Sequence, residues 1–419
     1  MKRTIIFFTG VYDTLDLFTG ELKRAFEEMG CASFVYEADR EANSKKRLLA
    51  LLAESGKLQA ECDLSGRFAC VTFNNLGYNL EFAPSIPGSD FGGGEDDDCE
   101  WERKNVNIWE YYQIPYINIL MDHPFHYDKP LRKAPATSIV LCTDRNHVRY
   151  IRRFLRNIRQ VDFLPHAGVE LGHRHKPLTE RAIDVLYAGA LPVYTVGRMI
   201  PDLDAIPEVD GQEMMAEVLR ELVAHPHRTT EEVIEEYLLS VRDDLPPERI
   251  RQIVITMRFL DSYATSFFRE QAVRLLVENG IAVTAYGVGW DQCEWSDNPY
   301  LHYGGKVLAP EILPLMNDSK IVLNTLTWFK AGAHDRIFNG MLAGAVVVTD
   351  DSTYLRQEFR DGKELSMFPL TDMAGLPERV FEIFGHAGRA QQIADAGYEC
   401  AQKYHTWKQR AEHILDSFF

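Results

Sequence analysis

The sequence predicts an α/β protein of two Rossmann-like domains, the second interrupted by a helical insertion. Three observations carry that reading. At 419 residues the chain is too long for one ordinary hydrophobic core and suits two. Short apolar runs alternate with amphipathic stretches from the start, the rhythm of a parallel sheet with helical crossovers. That rhythm stops near residue 202, gives way to charged helical text, and resumes at residue 269.

The first half opens on an apolar run, Thr4 to Thr9, closed by Gly10. A helix follows with Leu15, Phe18, Leu22, Ala25, Phe26 and Met29 on one face, and Gly30 stops it. Ala32 to Tyr36 is the second strand, Arg47 to Ser55 a helix, and Phe68 to Phe73 a buried strand ending at Asn74 and Asn75. Pro84 to Glu100 contains FGGGEDDD and reads as a surface loop, with a binding lid as the alternative. Trp101 to Tyr112 is helical. Pro115 to Met121 is a strand that delivers Asp122, His123 and Pro124 at its carboxyl end. Ser138 to Cys142, an arginine-rich helix and Val161 to Leu164 complete the expected N-terminal domain, residues 1–170.

A linker at 171–182 leads to a C-terminal domain at 183–400. Its first strand, Ile183 to Tyr187, closes on Ala188 and Gly189. The insertion at about 202–268 is rich in charged helical text such as EEVIEEYLLSV. Then come helix Arg269 to Asn279, strand Ala282 to Tyr286, the turn Gly287-Val288-Gly289, strand Leu301 to Tyr303 and the turn Gly304-Gly305. Helix Pro310 to Asp318, strand Ile321 to Asn324, helix Asp335 to Ala343 and strand Ala345 to Thr349 follow. The end, 401–419, is a helix that can cross back to the N-terminal domain.

Composition narrows the function. Forty-five Lys and Arg against 62 Asp and Glu give a formal charge of −17, which argues against nucleic-acid or anionic-membrane partners. The one basic cluster, Arg145, Arg149, Arg152, Arg153, Arg156 and Arg159, reads as an exposed helix face. Seven scattered cysteines show no zinc-clip spacing and suit reduced thiols in a cytoplasmic protein. No apolar stretch approaches transmembrane length. The insertion offers a surface for a homodimer or another partner.

Ligands of open parallel sheets bind off the carboxyl ends of the strands. That rule selects the turn TLTWFKAGAHDR, Thr325 to Arg336, before an amphipathic helix. Gly332 and Ala333 permit close backbone approach, and the helix start at His334 and Asp335 offers unpaired N–H groups suited to a diphosphate. Arg336 adds a forked cation in the first turn. A plain N-cap at Asp335 with a surface arginine is the equal alternative. On the other half, Asp122 and His123 share a strand-end turn where a carboxylate and an imidazole can take an acceptor proton; structural capping is the competing account. His166, Gly10, Tyr12 and Asn74 are weaker candidates for contact with the acceptor or the sugar.

The stretch IVLNTLTWFKAGAHDRIFNGMLAGAVVVTDDSTYLRQEFRDGKE resembles the donor-binding half of GT-B glycosyltransferases, the CgeB-like (spore-maturation) branch of group 1 in particular. LLVENGIAVTAYGVGW and YYQIPYINILMDHPFHY are similar to two further blocks of that branch. The resemblance implies two domains facing each other across a cleft and a UDP- or GDP-type nucleotide sugar as co-substrate. It implies an acceptor of unknown identity, no bound metal or cofactor, and retention of configuration. It places the donor at Gly189, Gly287, Gly305, Lys306, Val307 and Asn324, with the diphosphate at Gly332 to Arg336. One departure stands out: the glutamates usual in this helix and its loop are Ala331 and Asn339 here. A nucleotide-sugar epimerase and a catalytically inactive nucleotide- or carbohydrate-binding scaffold are the alternatives.

Overall fold

The computed structural model describes residues 2–59, 63–84, 105–172, 175–193, 200–326 and 328–418. Two six-stranded sheets form its frame, and every strand pair in them is parallel. The first contains β1 (Thr4–Thr9), β2 (Ala32–Glu37), β3 (Phe68–Phe73), β4 (Tyr116–Leu120), β5 (Ser138–Cys142) and β6 (Gln160–Phe163), in the order β2-β1-β3-β4-β5-β6. The second contains β7 (Ile183–Ala188), β8 (Val283–Tyr286), β9 (Leu301–Tyr303), β10 (Ser319–Asn324), β11 (Val346–Asp350) and β12 (Ser366–Phe368). Its order is β9-β8-β7-β10-β11-β12, so the direction of strand addition reverses between β7 and β10. Reversals of this kind open a crevice at the carboxyl edge of a sheet.

The strands form where the sequence is apolar without alternation, because helices cover both faces of a parallel sheet. FACVTF, YINIL, SIVLC and VVVTD are buried at every position. Helix α1 (Asp13–Glu28) lays Leu15, Phe18, Leu22, Ala25 and Phe26 on the first sheet. Each large side chain so buried stabilises by roughly 1.5–3 kcal/mol. The expected helix over Trp101 to Tyr112 is only Ile108–Tyr111, capped by Asn107, with 101–104 outside the described residues. The loop expected at Pro84 to Glu100 lies outside them from residue 85 onward.

The two sheets share one apolar seam. Leu22 and Phe26 of α1, Leu186 of β7, and Ile312, Leu313 and Met316 of a helix at Ala309–Asn317 belong to a single cluster. The terminal helix, Trp407–Phe418, completes it, with Trp407 4.9 Å from Phe18 and 5.5 Å from Phe73 between ring centroids. The last helix of the chain therefore packs on the first.

The insertion is four helices: α2 (Gly211–Ala224), α3 (Thr230–Val241), α4 (Pro247–Met257) and α5 (Phe259–Glu278). A capping box between Thr229 and Glu232 starts α3. Its last helix runs unbroken to Glu278, so residue 268 is no boundary. The first three pack on the first sheet's side of the molecule although they are inserted in the second, while the second half of α5 packs Ala272, Val273, Leu276 and Val277 into the second sheet's core. Their core includes Phe125 and Tyr150, and the buried Arg251 pairs with Asp128 and Glu248. Among the described residues, no helix is long and apolar enough to cross a membrane.

Candidate active site between the two sheets

A cleft of about 580 Å³ lies where the carboxyl edges of the two sheets meet. One wall comes from the first sheet: Val11, Tyr12, Thr14, Leu15 and Phe18 after β1, Asn74 and Leu76 after β3, and Met121, Asp122 and Tyr127 after β4. His334 and Asp335 supply the second sheet's side, and His166 sits between.

Asp122 is held from two directions. Tyr127 Oη donates to its Oδ2 at 2.6 Å and Asn74 Nδ2 at 3.3 Å. Asn74 is fixed in turn, its Oδ1 accepting from the Met121 N–H at 2.9 Å. Its backbone is left-handed, with φ of 47°, a conformation asparagine tolerates better than most residues. Next to it, Asn75 and Asn118 bond reciprocally, so the turn is rigid at the cleft floor. Such a carboxylate, aimed into a cavity by fixed donors, can accept a proton from a bound hydroxyl.

His166 is 4% exposed, yet neither ring nitrogen closes a hydrogen bond of normal geometry, although the Met121 main chain is near. Burial pulls its pKa below the usual imidazole range, with Asp335 and Asp122 opposing. Arg410 of the terminal helix fixes its backbone by donating to the Pro165 and His166 carbonyls. Opposite, His334 caps the helix α6 (Asp335–Leu342) and lies 2.7 Å from the Asp335 carboxylate. Burial and the neighbouring Arg336 cation lower the His334 pKa to about 3. Burial alone would raise Asp335, but His334 and Arg336 beside it hold its pKa well down. At neutral pH this corner is a neutral imidazole between a carboxylate and a guanidinium.

Arg336 is buried. It donates to the Ala188 carbonyl and to the His334 ring. Its guanidinium lies so close to Gly189 that a Cβ there would sit 2.7 Å from Nη1. A second arginine, Arg269 of α5, clasps the same strand exit through the Ala190 carbonyl at 2.8 Å. Sequence reasoning missed it: it lies within a helix, at the seam where the insertion was expected to end. An arginine on the buried face of an amphipathic helix was the available signal. Its Nε has no partner, and burial with Arg336 nearby pulls its pKa to about 10. Among the described residues neither guanidinium has a carboxylate within 4.0 Å. Two buried cations bonded to carbonyls and an imidazole, with no carboxylate within 4.0 Å among the described residues, form an environment suited to an anion.

Gly287 belongs to the same place. Its φ is 121°, and a Cβ on it would come within 2.6 Å of the Gly189 carbonyl carbon. Its N–H donates to Gly305 at 2.9 Å. Gly189, Gly287 and Gly305 thus meet at the carboxyl ends of β7, β8 and β9. Lys306 is exposed beside them, and Val307 packs on the apolar seam.

Several expected site residues have other partners. Gly332 and Ala333 do not present backbone to a ligand. The 330–333 segment is sealed against the first sheet's Thr143 to Arg145, with an antiparallel bridge between Asp144 and Gly332 and the Ala331 N–H bonded to Asp144. A Cβ at Gly332 would lie 2.2 Å from the Thr143 carbonyl oxygen. His123 turns away from the cleft into the seam with the insertion, 3.3 Å from Glu231 and stacked on Phe125. The Gly10 N–H is taken by Asp16 at 3.0 Å, so that turn closes on its own helix. Asn324 is fully buried and bonds Thr349. Asn339 links the two halves: Oδ1 accepts from the Val169 N–H at 2.8 Å, and Nδ2 donates to Asp335 at 3.2 Å. The expected cleft residues Tyr12, Asn74, Asp122, His166, His334 and Asp335 are brought together.

Residues 264–416 match the family described as glycosyl transferase-like. No curated protein matches the chain in sequence. A mutant of T4 phage BGT in complex with UDP-glucose is similar at a TM-score of 0.50 and 10% identity, over 99% of each chain. Anabaena HepE in complex with UDP and glucose gives 0.48 and 10% identity over 99% of each chain. A glycosyltransferase from Rickettsia africae ESF-5 gives 0.47 and 9%, over 100% of this chain and 98% of the other. The frame of two facing parallel sheets is the GT-B fold, and residues 264–416 of its second half are similar to the glycosyl transferase-like family.

Proposed function

We propose that the protein is a glycosyltransferase that moves a sugar from a UDP- or GDP-type donor to a hydroxyl seated in the 580 Å³ cleft. One observation carries the reading: the Arg269 and Arg336 pair at the Gly189 strand exit, buried and without a carboxylate partner among the described residues. That exit is also where the order of the second sheet reverses. The donor diphosphate lies there, against Gly189, Gly287 and Gly305, with Lys306 at the rim. The sugar reaches past His334 into the cleft. Asp335 already answers the dipole of its own helix, so the two guanidinia, rather than the helix start, are the main anion contacts.

In the reaction the acceptor oxygen bonds to the anomeric carbon on the face from which the diphosphate leaves, as retention of configuration requires. The bond from that carbon to the diphosphate oxygen breaks, and its electron pair leaves with the diphosphate. Arg269 and Arg336 stabilise the growing negative charge in a site closed to water, where such contacts are strongest. The hydroxyl proton passes to Asp122. This chemistry asks no metal of the protein. Retention of configuration, a CgeB-like placement and a cytoplasmic setting, suited to the buried thiols Cys31, Cys70 and Cys142, belong to the same proposal. So does the division into an acceptor half at 1–170 and a donor half at 183–400.

Calorimetry with UDP and GDP tests it. Arg269→Ala and Arg336→Ala should each weaken nucleotide binding by about tenfold or more, the scale of a lost charge-assisted contact. Wild-type protein that binds neither nucleotide at millimolar concentration sinks the reading.

A further inference from the structure

The cleft is two-faced. Val11, Leu15, Phe18, Leu76 and Met121 make one wall apolar, with Tyr12 at its mouth. Val11 is 41% exposed and Tyr12 61%, adjacent apolar surface left open to water at the entrance. Adjacent exposed apolar side chains at a cavity mouth mark a binding surface, and a tyrosine offers a flat face with a polar tip. The other wall is polar. Asp122 and Asp335 contribute carboxylates, and His166 and His334 are imidazoles; among the described residues no lysine or arginine lines the cavity, the Arg336 guanidinium lying behind the His334 ring. The volume falls within the range of about 300–1,000 Å³ usual for sites of small organic ligands.

Resting on the glycosyltransferase reading, we infer that the acceptor is an uncharged small molecule with an aromatic ring beside its hydroxyl. The ring lies on the Val11–Tyr12 side, and the hydroxyl points at Asp122. A phosphorylated or otherwise anionic acceptor is disfavoured by charge. It would bring its negative group against Asp122 and Asp335, with no cation among the described lining residues, and at cleft distances that repulsion is only partly screened. His166, buried, lining the cleft and without a hydrogen bond of normal geometry on either ring nitrogen among the described residues, is a group that can hold a second hydroxyl of the bound molecule.

Calorimetry and turnover with three probes test this: 4-nitrophenyl β-glucoside, methyl β-glucoside and 4-nitrophenyl 6-phospho-β-glucoside, each in the presence of UDP or GDP. The aryl glucoside should bind about tenfold or more tighter than the methyl glucoside. The phosphorylated compound should bind at least tenfold more weakly than its neutral parent. Tyr12→Ala, at an exposed position, should lower the ratio of aryl to methyl glucoside affinity by about tenfold, whatever it does to either alone. Tyr12→Phe should keep that ratio. Equal binding of aryl and methyl glucosides, no binding of either, or preference for the phosphorylated compound overturns the inference. Nucleotide titrations in the same experiment separate the two failures. Nucleotide binding with no aryl preference removes the acceptor class alone, whereas no nucleotide binding removes the transferase reading as well.

Discussion

Asp122 and Asn339 show how single side chains set this site. With its Oδ2 already accepting from Tyr127 and Asn74, Asp122 presents its remaining lone pairs to the cleft. Asp122→Asn keeps the shape and removes the proton acceptor. Turnover should fall about 100-fold, the typical scale of a lost general base, while nucleotide affinity stays within about twofold. Steady-state kinetics beside calorimetry check this, and undiminished turnover removes Asp122 from the chemistry. Asn339 stands where the resemblance leads one to expect a glutamate, and the structure gives an asparagine there two partners. Its amide donates to Asp335 on one side and accepts from Val169 on the other, a division of labour a carboxylate lacks. Asn339→Glu should therefore destabilise the fold by roughly 1–3 kcal/mol, through a carboxylate set against Asp335, rather than restore a donor contact. Thermal unfolding measures it.

At the scale of elements, the insertion is a strap. Glu231, in the first turn of α3, is buried against His123, and burial raises its pKa to about 7. Burial also holds the His123 imidazole well below its usual range, so His123 is neutral across the working pH. The same quarter holds Asp144, raised to about 6 by burial, and Asp350, raised to about 7. Lys330 lies among them. A carboxyl whose folded pKa exceeds its unfolded value binds more protons folded than unfolded between the two values. Its stabilisation is complete below about 4.5 and is lost as pH rises through about 7. Melting temperature should fall as pH climbs from about 5 to 8, and Glu231→Gln should flatten that slope. An unchanged slope in the variant would assign the dependence to Asp144 and Asp350 instead.

For the whole molecule, the shared apolar seam, the terminal helix on α1, the Asn339 bond to Val169 and the Gly332 bridge to Asp144 all fix one half on the other. The bridge tolerates no side chain, because a Cβ would meet the Thr143 carbonyl at 2.2 Å. Gly332→Ala should push the halves apart and cost about 2 kcal/mol or more, read as a lower melting temperature and a larger radius in solution scattering. A melting temperature equal to wild type would mean that the contact yields without penalty.

The sequence by itself determined the two parallel sheets, since uninterrupted apolar runs such as FACVTF and VVVTD can be satisfied only between covering helices. It also marked the strand ends, and with them Tyr12, Asn74, Asp122, His166, His334 and Asp335, because period and punctuation are local properties of the chain. Tertiary structure alone decided which strand ends face a cavity and which face another element. It sealed Gly332 and Ala333, turned His123 into the insertion, and brought Arg269 beside Arg336 across 67 positions of sequence. Those outcomes depend on contacts between segments far apart in the chain. The free energy of burying a charge or a backbone edge there belongs to both partners at once, and neither partner's local sequence encodes it.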